Sequence, residues 1–125
     1  MSASQSRVIL ADDEFHLRAF IAALLKKMNC LVVAQATNGQ EAVALYREHK
    51  PDLILLDINM PLKNGEEALK EIRAEFPAAR VIMLTSVVDE QQVADCLAAG
   101  AANYIRKDSP AAEIQALIAA TLQAQ

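Results

Sequence analysis

DLILLDINMP, residues 52–61, decides how the rest of the chain is read. Leu53 to Leu56 are four apolar residues in succession, which suits a strand covered on both faces. The run stops at Asp57, with Asn59, Met60 and Pro61 behind it. A strand of this kind that ends on a carboxylate raises the question of what the carboxylate is for.

Working outward, apolar runs of strand length alternate with stretches of helical period. RVILA (7–11) is strand-like and is followed by Leu17, Phe20, Ile21, Leu24, Leu25 and Met28, spaced three and four apart as on one helix face. CLVVAQA (30–36) reads as a second strand, and TNG (37–39) turns into a helix carrying Ala42, Val43 and Tyr46. After the opening stretch, Ala68, Leu69, Ile72 and Phe76 form the inner face of a third helix that Pro77 ends. RVIMLT (80–85) is a fourth strand, Val93 to Leu97 belong to a helix closed by Gly100, and ANYIR (102–106) is a fifth strand. Ser109 and Pro110 suit the cap and first turn of a last helix bearing Ile114, Leu117, Ile118 and Leu122. Five βα units in alternation predict a parallel sheet with helices on both faces, without fixing the strand order.

The bulk numbers agree. A chain of 125 residues, 54% hydrophobic and 22% charged, fits one globular domain; residues 1–6 read as a flexible tail and 7–125 as the domain. Net charge is −4 and the 12 Lys and Arg are scattered, so direct nucleic-acid binding is not expected. No segment nears the ~18 apolar residues of a membrane span, and MSASQSR lacks a signal-peptide core. Cys30 and Cys96 lack metal or redox spacing and read as buried free thiols, which points to the cytoplasm.

In open α/β sheets ligands bind beyond the carboxyl ends of the strands. Those places hold Asp12, Asp13 and Glu14 after the first strand and Asp57 after the third. Thr85 and Ser86 follow the fourth, and Lys107 the fifth. Each has a plain alternative: Asp12 and Asp13 as helix caps, Asp57 as a turn residue, Thr85 as a strand terminator, Lys107 as a solvated side chain. Against those alternatives stands their convergence on one edge. If the first and third strands are neighbours, carboxylates ~5 Å apart repel by about 3 kcal/mol at a dielectric near 20. Such a group demands a cation, and all-oxygen ligands favour Mg²⁺. The pocket then suits phosphoryl transfer, with Asp57 as the nucleophile that forms an acyl phosphate.

LADDE, LILLDINMP followed by NG, VIMLTS and AGAANYIRK together resemble the receiver domain of two-component response regulators, and the match runs from Arg7 into the last helix. The resemblance implies a flavodoxin-like sheet of order 2-1-3-4-5. It implies a phosphoryl group received on Asp57 from the phosphohistidine of a sensor histidine kinase or phosphotransfer protein, or from acetyl phosphate. Asp13, Asp57 and the Asn59 carbonyl would bind Mg²⁺, with Asp12 acting through a coordinated water. Lys107 would pair with the phosphoryl group, the Thr85 hydroxyl would swing to it with Ser86 beside, and Tyr104 would turn inward as the switch aromatic. The surface of the fourth helix, fifth strand and fifth helix would then meet a downstream effector or an output domain. A phosphorylation-dependent homodimer also fits the family.

The lysine is often followed by a cis proline in this family, whereas Asp108 follows Lys107. A cis bond there would cost about 3 kcal/mol, which leaves the geometry of that peptide open. Asn59 and Val87 occupy the two places that tune attack by water, and Val87 cannot hydrogen-bond it, so a moderately slow loss of phosphate is expected. Three rivals remain. A haloacid-dehalogenase-type hydrolase wants Asp where Asn59 stands. A flavin- or nucleotide-binding module wants a first loop without Asp12 and Asp13. A degenerate receiver used only for docking would not need the acid, threonine and lysine set. His16 and His49 read as solvated surface residues, and Glu66, Glu67, Lys70, Glu71 and Arg73 as an exposed face.

Overall fold

The computed structural model describes residues 5–86 and 89–124. Its elements alternate without exception: β1 Ser6–Ala11, α1 Phe15–Lys27, β2 Cys30–Ala36, α2 Gly39–His49, β3 Leu53–Asp57, α3 Gly65–Glu75, β4 Val81–Thr85, α4 Glu90–Ala98, β5 Asn103–Arg106 and α5 Ala111–Gln123. All strands pair in parallel, in the order β2-β1-β3-β4-β5. The expected α/β sheet, with its strand order, is present.

Side-chain alternation divides the core into two layers. Ile9, Ile54, Leu56, Val81 and Met83 face α2, α3 and α4 and pack on Ala42, Val43, Tyr46, Leu69, Ile72 and Val93. Val8, Leu10, Leu53, Leu55, Ile82 and Leu84 face α1 and α5 and pack on Ile21, Leu24, Leu25, Ile114 and Ile118. Every residue of β3 and β4 is buried because both faces are covered, which is why Leu53–Leu56 and Val81–Leu84 are apolar without interruption before Asp57 and Thr85.

Several local expectations need correction. Phe20 is 43% exposed and does not belong to the inner face of α1. A helix turns about 100° per residue, and the stripe Ile21, Leu24 and Leu25 leaves Phe20 beyond its edge. The last helix begins at Ala111 with Pro110 at its N-cap, one residue later than the sequence suggested. The Ser109 amide instead donates to Arg106 O at 3.0 Å and closes the turn after β5. Arg73 does not join the solvated face of α3; its guanidinium donates to Ala79 O at 3.0 Å. Among the described residues no peptide is cis, so Lys107–Asp108 is trans.

Cys30 and Cys96 are free and buried, and burial pushes both thiols up, Cys96 to about 11. No helix among the described residues is long and apolar enough to cross a membrane. Residues 1–4 of the expected tail, and Val87, lie outside the described residues.

Candidate functional site

The backbone fixes the site before any side chain enters it. Parallel pairing of β1 with β3 and of β3 with β4 brings three strand ends to one edge. The Asp12 amide donates to Ala36 O at 3.0 Å, continuing the β1–β2 ladder one residue past the strand. The Ile58 amide donates to Leu84 O at 3.0 Å and does the same for β3. The Lys107 amide donates to Thr85 O at 2.8 Å, which ties the end of β5 to the end of β4.

Lys107 gathers the charges. Its Nζ lies 2.9 Å from Asp12 Oδ2, 3.0 Å from Asp57 Oδ2 and 3.3 Å from Glu14 Oε1. Asp12 and Asp57 are buried while Asp13 is exposed, and one carboxylate oxygen of each lies within 4.8 Å of the others. Local bonds orient two of them. Asp12 Oδ1 accepts the Glu14 amide at 2.7 Å, and Asp57 Oδ1 accepts the Asn59 amide at 3.2 Å. Neither Asp12 nor Asp13 caps α1, whose N-cap is Glu14 without a side-chain bond. The solvated reading of Lys107 fails as well, because its side chain is only 9% exposed.

Electrostatics follow from burial. Removal from water pushes the Asp57 carboxyl up to about 6; the Lys107 hydrogen bond opposes this, and the Asp12 charge adds to it. Burial works against the Lys107 charge too, but hydrogen bonds to Asp12 and Asp57 and their charges hold its pKa above that of an ordinary lysine. Three aspartates against one ammonium leave the pocket with a net charge of −2 before Glu14 is counted. An all-oxygen set with this imbalance fits a hard divalent cation better than a second ammonium.

The remaining predicted residues take different places. Thr85 is buried at the tip of β4, and Ser86 just beyond is exposed. Tyr104 sits on β5 opposite Met83, half-buried against the α3–α4 side of the core. Asn59 is exposed between buried Ile58 and Met60. Glu14, noted in the sequence but given no role, also reaches Lys107; three consecutive acids were the available signal. The contact of Gly39 with Lys63, by contrast, has no trace in spacing or composition.

This geometry can be set beside known proteins. Residues 8–119 match the model of the response regulator receiver domain. Chemotaxis protein CheY of Bacillus subtilis (strain 168) is 40% identical over 116 residues, covering 93% of this chain and 97% of that protein. The transcriptional regulatory protein LnrK of the same organism is 41% identical over 106 residues, or 84% of this chain, which spans about half of LnrK's length (48%). Among solved structures, a LuxR-family two-component response regulator from Aurantimonas sp. SI85-9A1 superposes with a TM-score of 0.90 at 34% identity, over 95% of this chain and 86% of that one. CheY in the CheX–CheY–BeF3–Mg²⁺ complex from Borrelia burgdorferi superposes with a TM-score of 0.91 at 29% identity, over 95% and 90%. Sequence, strand order and acid pocket lead to one conclusion: the chain belongs to the receiver domains of two-component response regulators.

Proposed function

We propose that the chain is switched by phosphorylation of Asp57. The donor is the phosphohistidine of a sensor histidine kinase or phosphotransfer protein, or a small acyl phosphate such as acetyl phosphate. A carboxylate oxygen of Asp57 attacks phosphorus; the new O–P bond forms as the donor's P–N or P–O bond breaks, and the electron pair leaves with imidazole or acetate. Asp13, Asp57 and the Asn59 carbonyl would hold Mg²⁺, with Asp12 acting through a coordinated water. The bound ion supplies neutralisation of phosphoryl charge.

This chain's own residues do the rest. Rigid β3 holds the attacking carboxylate in place, and the two covered faces of the sheet keep water from all but one side. Lys107, already shared between Asp12 and Asp57, shifts its ammonium toward the phosphoryl oxygens. The Thr85 hydroxyl then turns to the same group, with Ser86 at the mouth, and Tyr104 moves inward behind it. The surface of α4, β5 and α5 changes as a result and meets a downstream effector, an output domain or a second copy of the chain. The protein is a phosphoacceptor of the cytoplasm that assists its own phosphoryl uptake and hydrolysis. Asn59 and Val87 set a moderately slow loss of phosphate. If Val87→Glu left that rate unchanged, the assignment of Val87 would fail.

One observation carries this reading: a single buried ammonium lies 3.0 Å from Asp57 and 2.9 Å from Asp12 at the end of a fully covered strand. Intact-mass measurement with acetyl phosphate and Mg²⁺ tests it. The parent should gain one phosphoryl group and Asp57→Asn none. Equal gain by both proteins would move the acceptor elsewhere.

A further inference from the structure

The loop from β3 to α3 has an uncommon shape. Leu62 has φ of +67°, a conformation that L side chains rarely adopt, and the residue is 81% exposed. Nothing at Leu62 itself favours this, so the cause lies in its neighbours. The Lys63 amide donates to Pro61 O at 2.8 Å, and the Gly65 amide to Ile58 O at 2.8 Å. The third restraint comes from outside the loop. Gly39, the first residue of α2, donates its amide to Lys63 O at 2.8 Å.

Only glycine allows that approach. A Cβ at Gly39 would lie 2.1 Å from Lys63 O and 2.7 Å from the carbonyl carbon, backbone atoms that cannot rotate away. Gly100 is the only described glycine with positive φ, so position 39 could accept alanine as far as its own backbone is concerned. The turn behind it is rigid. Asn38 caps α2 by accepting the Glu41 amide at 2.8 Å, and Glu41 in turn accepts from the Thr37 amide and hydroxyl at 2.8 and 2.7 Å. The amide of Gly39 is one of the N–H groups a helix start leaves without an intrahelical partner, and here it is spent on the loop that follows Asp57.

We propose that Gly39 is a positioning residue for the acid pocket. Its amide clamps the loop that carries Asn59 and so sets the Asn59 carbonyl beside Asp13 and Asp57 for a divalent cation. The inference rests on the Mg²⁺ assignment under Proposed function and adds to it a residue from an element that contributes no ligand. Binding and clamp are then coupled, and coupling is reciprocal: the ion must strengthen the Gly39 hydrogen bond as much as that bond strengthens ion binding.

Calorimetric titration with Mg²⁺ tests the first half. Gly39→Ala should weaken binding about tenfold, as loss of groups that orient metal ligands commonly does. Gln40→Ala, an exposed neighbour on the same turn, should bind as the parent does. Thermal unfolding without Mg²⁺ reads the steric clash itself, and the Mg²⁺ dependence of exchange described below is what a merely structural role would not produce. Alanine in a helix normally raises the melting temperature relative to glycine, and here the clash should lower it. Amide exchange on the unaltered protein tests the second half even if Gly39→Ala fails to fold. Mg²⁺ should slow exchange at Gly39 and leave Lys50, bonded to Tyr46 O at the other end of α2, unchanged. Parent-like binding by Gly39→Ala, or equal Gly39 exchange with and without Mg²⁺, would overturn the clamp alone. A parent that binds no Mg²⁺ would overturn the pocket reading and the clamp with it.

Discussion

The two ends of the sheet handle charge in opposite ways. At the amino-terminal edge three arginines send bonds to main-chain carbonyls. Arg7 donates to His49 O at 2.7 Å, Arg73 to Ala79 O at 3.0 Å, and Arg80 to Leu122 O and Ala124 O at 3.0 and 2.7 Å. Arg7 and Arg80 lie at the carboxyl ends of α2 and α5, where carbonyls lack partners and the helix dipole is negative. Cations there complete the fold. At the carboxyl-terminal edge one ammonium serves several acids, two of them buried, and the balance is left negative. The contrast teaches where stability was given up: one edge satisfies its charges, and the other keeps an unmet demand for a cation.

Removing the ammonium should break this contrast most sharply. Lys107→Met leaves Asp12 and Asp57 buried without a counter-charge and should cost about 3 kcal/mol in chemical unfolding at pH 7 without divalent ions. Adding Asp57→Asn to that variant should recover clearly more than the roughly 2 kcal/mol that Asp57→Asn gives in the parent, because without Lys107 the buried Asp57 charge is opposed more strongly. Full additivity of the two changes would show that the groups do not interact.

Asp57→Asn alone should stabilise the protein, by about 2 kcal/mol at pH 7. An unfolded aspartate titrates near 3.8, whereas Asp57 in the fold titrates at about 6. Between those values the folded state keeps a proton that the unfolded chain has released. This group's contribution to stability therefore falls as pH rises from about 4 to about 6. The advantage of asparagine should be full at pH 7 and vanish toward pH 4 in paired unfolding curves. A constant advantage across that range would contradict the raised pKa.

On the opposite edge, Arg80→Ala should cost about 1–2 kcal/mol, because two charge-assisted bonds to the end of α5 disappear. Mg²⁺ should recover none of this. Recovery would mean the two edges are not separate.

How far the sequence could be read follows the same division. Buried strands leave unbroken apolar runs and helix stripes leave a period, so the sheet, its helices and the places of Asp12, Asp13, Asp57, Thr85 and Lys107 are legible in the sequence. The strand order and the Mg²⁺ ligand roles came from family resemblance, since pairing between distant strands leaves no periodic mark. Phe20 adjoins a real stripe without belonging to it, and periodicity does not say where a stripe ends. The Lys107–Asp108 peptide, the Glu14 contact and the approach of Gly39 to Lys63 depend on three-dimensional closeness of loops, which no spacing encodes.

The smallest effect concerns the strained loop. Leu62→Asn places a residue more tolerant of left-handed geometry at φ +67° and should raise stability by about 0.5 kcal/mol in the same unfolding assay. A loss instead would mean that the exposed leucine makes contacts the fold requires.

Borohydride trapping reads the central claim most directly. Reduction of an acyl phosphate on aspartate yields homoserine, which marks the acceptor in the peptide chain. After incubation with acetyl phosphate and Mg²⁺, homoserine should appear at position 57 and at neither 12 nor 13. Homoserine at either of those positions, or at none, would contradict the assignment of the β3 carboxylate as the group that carries the phosphoryl.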